Sequence, residues 1–184
     1  MVEKVVCDGA APHTDAQTCF NAATSLKNDG NKLIGQGFSY RALHKYQRAL
    51  EIIANFAPAK GPPLPQGLPV GSETGKVDAK SHSLHCILLS NTAACYLQLR
   101  KWNAAVHVCN DLLEKQAAPI APDIRLKTVV RRCKACAELG DWETALNDAR
   151  AVKAENAEAW AGLELVVKRC AEMKAAHAAR QRCM

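Results

Sequence analysis

Small and apolar residues recur along this chain at steps of three and four, and one set of steps appears three times. With Gly30, Ala93 and Cys133 as anchors, Leu33, Tyr96 and Cys136 stand three residues on. Twelve residues past each anchor come Ala42, Ala105 and Ala145, followed four later by Tyr46, Cys109 and Ala149, then by Ala49, Leu112 and Val152. Steps of three and four mark one face of an α-helix, and the gap from anchor to alanine fits a helix, a tight turn and a returning helix. The turns read as Gly37, Leu99-Arg100-Lys101-Trp102 and Leu139-Gly140-Asp141-Trp142. The pattern predicts an all-α protein of three helix pairs. A single pair cannot bury its apolar face, so three stacked units are about the minimum that folds. In 156–184, Trp160, Leu163, Val167 and Cys170 keep helical spacing, which predicts one more helix capping the third unit.

Two regions fall outside the pattern. Residues 1–19 read as a partly disordered N-terminal segment. Between units one and two, Lys60–Lys80 holds Pro62, Pro63, Pro65, Pro69 and four glycines, so a loop at about 57–80 is expected. Pro62-Pro63-Leu64-Pro65 satisfies a polyproline-ligand spacing, a permissive pattern for which a plain linker is the simpler reading. Gly71-Ser72-Glu73-Thr74-Gly75-Lys76 falls one residue short of a phosphate loop, is followed by Val77 and comes after no strand, which argues against nucleotide binding there.

The repeat resembles the tetratricopeptide repeat, a helix-turn-helix of about 34 residues. The likeness is carried by Leu26-Lys27-Asn28-Asp29-Gly30-Asn31, by Ser90–Tyr96 and by Arg131–Trp142, and it covers roughly 20–155. The anchors are spaced more widely than in the family, with the excess in 55–83 and around Gln116–Pro122, where insertions map to inter-repeat loops. The family's usual proline after each second helix is missing. The resemblance implies a right-handed superhelical solenoid of three repeats, with the segment 156–184 as its capping helix.

Lys27, Asn31, Asn91, Lys127 and Arg131 lie on the first helices of their units. Lys27 and Asn31 are four residues apart, as are Lys127 and Arg131, so each pair projects from one helical face. Ammonium, guanidinium and carboxamide groups all donate hydrogen bonds to carboxylates. Alone, a helical lysine or arginine is ordinarily solvated surface; five such residues in register are a socket for a doubly negative ligand. These positions are similar to the dicarboxylate clamp of chaperone-adaptor tetratricopeptide domains. That subclass holds the Glu-Glu-Val-Asp tail of cytosolic heat-shock chaperones of the 90-kDa and 70-kDa classes. By the likeness, Lys27, Asn31 and Asn91 hold the terminal carboxylate, Lys127 serves the aspartate side chain and Arg131 braces that end. Ile34 and Ala94 are the implied walls for the penultimate valine.

Composition narrows the rest. The chain has 184 residues, enough for one domain with a core, and only 5% aromatics, which suits close helix packing. It contains no apolar run long enough to span a membrane and no secretory signal, so a cytoplasmic protein is expected. The net charge of +6 suits an acidic peptide; without aromatics interleaved among the basic residues, nucleic acid is not expected. Nine cysteines without framework spacing read as reduced, and those at helix positions as small packing residues. Cys133 and Cys136 match a Cys-x-x-Cys spacing but sit mid-helix, and His82, His85 and Cys86 cluster without a fourth ligand, so no metal or cofactor is expected. No nucleophile, base and oxyanion set assembles, and no small-molecule substrate is implied. The expected function is a non-catalytic co-chaperone module. The alternatives are a scaffold for another acidic peptide or complex subunit and, less favoured, a thiol oxidoreductase using Cys133 and Cys136.

Overall fold

A computed structural model describes residues 16–56, 72–114 and 119–182, which contain eight α-helices and no strand. The first pair is α1 (Ala16–Gly35) and α2 (Ser39–Phe56), the second α3 (Ser72–Gln98) and α4 (Trp102–Glu114), and the third α5 (Pro122–Leu139) and α6 (Trp142–Glu155). Helices α7 (Ala157–Ala161) and α8 (Glu164–Arg182) follow. Each of the first six helices packs on the next in chain order, α1 and α5 both touch α3, and α8 lies on α6. Among the described residues no helix is long and apolar enough to cross a membrane.

The three pairs share their turn atom for atom. Seven residues past each anchor stand Gly37 (φ 83°), Arg100 (φ 55°) and Gly140 (φ 81°), the residues of positive φ in the described chain. One residue further on, Phe38, Lys101 and Asp141 donate their backbone N–H to the carbonyls of Leu33, Tyr96 and Cys136, at 2.9, 2.8 and 3.0 Å. This six-to-one bond, closed by a left-handed residue, ends a helix by satisfying its last carbonyls. Glycine takes that conformation without a Cβ penalty. The middle unit reaches it with an arginine, so its turn carries local strain of order 1 kcal/mol.

The repeat offsets also mark the core. The anchors, the alanines and the two positions after each alanine are buried in all three units, whereas Leu33 and Tyr96 are only partly covered. A Cβ on Gly30 would run into the ring of Tyr46, so α1 and α2 meet there only because the anchor is glycine. At the same two positions the other units place Ala93 with Cys109 and Cys133 with Ala149; as the anchor grows, its counterpart shrinks. The buried Cys133 thiol donates to the Ala145 carbonyl at 3.2 Å.

Three expectations about boundaries change. The capping segment is two helices: Asn156 caps α7 by accepting from the Ala159 N–H at 2.8 Å, and the chain breaks at Gly162. The break lets Leu163 become fully buried, together with Cys170, against the third pair. The expected loop at 57–80 is shorter, because α3 begins at Ser72. Its prolines all precede position 70, and one internal glycine, Gly75, costs a helix only about 1 kcal/mol. The part at 57–71 lies outside the described residues, and so does the polyproline spacing within it. Helix α1 begins at Ala16, inside the expected N-terminal segment; 1–15 lie outside the described residues.

Candidate functional site

Four of the five clamp candidates come together or share one cavity wall. Asn31 on α1 and Asn91 on α3 are bonded directly, the Asn91 amide nitrogen donating to Asn31 Oδ1 at 3.1 Å. The Tyr46 hydroxyl on α2 donates to the same oxygen at 2.7 Å. With two donors on its oxygen, the Asn31 carboxamide keeps its N–H groups for another acceptor. Burial pushes the Tyr46 phenol up to about 12, so it stays a donor across the neutral range.

Arg131 on α5 reaches α3. One terminal nitrogen donates to the Ser90 carbonyl at 2.9 Å and to the Ser90 hydroxyl. Ser90 Oγ lies 3.1 Å from Thr128 Oγ1, which donates to the Ile124 carbonyl at 2.8 Å. Arg131 has no ion pair with a described carboxylate, and its hydrogen bonds to described residues are those to Ser90. Burial pulls its pKa below the ordinary arginine value. A guanidinium has five N–H donors, of which Ser90 engages one nitrogen's share, so donors remain for a ligand.

Lys127, one turn before Arg131, is exposed and pairs loosely with Asp123 at 3.8 Å. Lys127 and Arg131 line a cavity of about 880 Å³ over α5, bounded by α3 and by α7–α8. Ala94, Leu97, Leu126 and Val130 give it an apolar floor. Of the two expected valine walls, Ala94 lines this cavity, whereas Ile34 packs on the core of the first pair. Lys27 is half-buried one turn before Asn31, and its side chain makes no hydrogen bond or ion pair to another described residue.

Tyr46, Ser90 and Thr128 escaped the sequence reading. Tyr46 was legible as a core position, but a buried phenol needs a hydrogen-bond partner, and that was a signal for its second role. Ser90 and Thr128 are polar residues on faces where small apolar ones are expected, buried because they hold each other and Arg131.

The described cysteines are free and buried. Burial pushes the thiols of Cys133 and Cys136 up to about 12 and 11, away from the lowered pKa of a reactive thiolate, which weighs against the oxidoreductase alternative. Cys86 Sγ lies 3.6 Å from His82 Nε2, one turn away. No group of three potential metal ligands converges among the described residues. No protein-family model matches the chain.

Proposed function

We propose that the chain is a non-catalytic tetratricopeptide-type module that binds the acidic C-terminal tail of a cytosolic heat-shock chaperone, of the Glu-Glu-Val-Asp type. In this reading the repeats stack as a right-handed solenoid whose groove is lined by α1, α3 and α5. The mutual packing of those helices and the identical turns support it. The observation that carries the binding function is Arg131: a partly buried guanidinium that lines a cavity, bonded to Ser90 of α3 and without an ion pair to any described carboxylate. An uncompensated cation of this kind costs stability in the free protein, and an incoming carboxylate removes that cost. Asn31 and Asn91 supply neutral donors beside it, and Lys27 and Lys127 supply charge. The free, buried thiols fit a reducing compartment such as the cytosol.

Titration calorimetry with a chaperone tail peptide, as free acid and as C-terminal amide, tests the proposal. Hydrogen bonds to charged groups contribute roughly 1.5–3 kcal/mol, so Arg131→Ala and amidation should each weaken binding by about tenfold to over a hundredfold. Added salt should weaken it further. Equal affinity for acid and amide, in wild type and variant alike, would remove the terminal carboxylate from the mechanism and favour a scaffold that reads internal acidic segments.

A further inference from the structure

Two stretches of the chain without a single acid meet in the fold. Between Asp29 and Glu51, and again between Asp78 and Asp111, there is no aspartate or glutamate. The turn of the first pair lies in one stretch and the turn of the second pair in the other. The two turns are joined, because the Ser39 hydroxyl at the start of α2 donates to the Gln98 side chain at the end of α3. Lys32, Arg41, Arg100 and Lys101 belong to these turns and their flanks, all exposed and none with an ion pair to a described carboxylate. Phe38 and Tyr40 lie among them, 51% and 67% exposed, and the Arg41 guanidinium sits over the Phe38 ring at 5.5 Å. Neither ring lines the cavity over α5. The third turn has the opposite sign, with Glu138, Asp141 and Glu143.

We propose that this edge of the first two turns docks on an anionic lipid bilayer, with Phe38 and Tyr40 at the boundary of headgroups and acyl chains and the four cations against the headgroups. The surface is separate from the carboxylate site and does not depend on it. Charge complementarity carries the proposal: the fold gathers cations from two turns and leaves them without acidic partners. Near an anionic leaflet each such cation contributes about fivefold in partitioning. Exposed aromatics beside cations suit the membrane interface, and stable docking combines an apolar and a basic signal, both of which are present here. A single-stranded nucleic acid would need open ring faces for its bases, and Arg41 already covers one face of Phe38. The acidic third turn would be held away from the leaflet.

Flotation tests this, with vesicles of phosphatidylcholine alone and of equal parts phosphatidylcholine and phosphatidylserine. The wild-type chain should float with the anionic vesicles and not with the zwitterionic ones, and added salt should release it. Arg100→Asn combined with Lys101→Gln should weaken binding by about thirtyfold, and Phe38→Ala combined with Tyr40→Ser by about tenfold. Asparagine is chosen at 100 because it tolerates the left-handed turn. Circular dichroism checks that both double variants fold. Arg131→Ala, which removes a cation from the cavity and not from this edge, should float like the wild type. Equal flotation with both vesicle types, full binding by both double variants, or loss of binding in Arg131→Ala overturns the proposal. So does a chain that stays off the vesicles, and binding of a single-stranded oligonucleotide or of polyglutamate in that case would give the edge to another class of partner.

Discussion

Arg131 and Arg132 are neighbours in sequence on two different faces of α5, and their surroundings are opposite in kind. Arg132 is saturated: Nε and Nη2 donate to the two carboxylate oxygens of Asp148 on α6 at 2.9 and 2.7 Å, and Nη1 donates to Asn110 Oδ1 on α4 at 2.9 Å. Its hydrogen bonds to Asp148 raise its pKa, whereas burial lowers that of Arg131. Arg132 ties the second and third pairs together; Arg131 is held by a serine and lines a cavity. A buried cation that the fold has already neutralised is part of the architecture. One that the fold positions without a described carboxylate is what the proposed anion site rests on, and this difference is invisible in a count of basic residues.

Breaking the saturated side should have the largest effect on stability. Asp148→Ala leaves Arg132, at a site only 18% exposed, without its bidentate partner and with Glu114 at 3.6 Å as its remaining carboxylate. A loss near the low end of the range for breaking a buried pair, about 3 kcal/mol, is therefore expected. Arg131→Ala removes a desolvated charge and leaves Ser90 its Thr128 partner, so its effect on stability should stay within about 1 kcal/mol. Urea unfolding of the two variants checks this; similar losses would mean that Arg131 is structural as well.

A smaller effect is expected at the support of the open side. Tyr46→Phe keeps the ring that fills the space over Gly30 and deletes the donor to Asn31, so a net loss of about 1 kcal/mol in stability is expected. The freed Asn31 oxygen then bonds only Asn91, and peptide affinity should fall while the urea slope stays the same. Unchanged affinity for the free-acid peptide would show that the Asn31 orientation does not depend on the hydroxyl.

The smallest effect is expected at Cys109, which feels both arginines. Each favours its thiolate, yet burial prevails and pushes it up to about 12. A thiol reagent at pH 8 should therefore label Cys95, Cys109, Cys133 and Cys136 no faster than the chain unfolds. The sign for stability follows from folded pKa values above the unfolded ones. The contribution is complete below about pH 9 and is lost as pH rises from there through about 12. Rapid labelling of Cys109 at pH 8 would show that one guanidinium stabilises the thiolate more than burial opposes it.

The helical units, their buried faces and their turns were legible in the chain, because each depends on residues a few positions apart. The repeated offsets named the buried anchors and alanines, and Gly37 and Gly140 announced two of the turns. Arg100 did not, since only the shared six-to-one bond shows that it occupies the glycine position. The break at Gly162 was equally hidden, because the burial of Leu163 is decided by α6 and not by the local sequence. Five polar residues were legible as candidates for one site, being in register on first helices. Which of them carry unspent donors was not. Asn31 and Asn91 lie 60 residues apart, and Arg131 and Ser90 lie 41 apart. Hydrogen bonds across such separations depend on packing between helices, so tertiary structure alone left Arg131 open and closed Arg132.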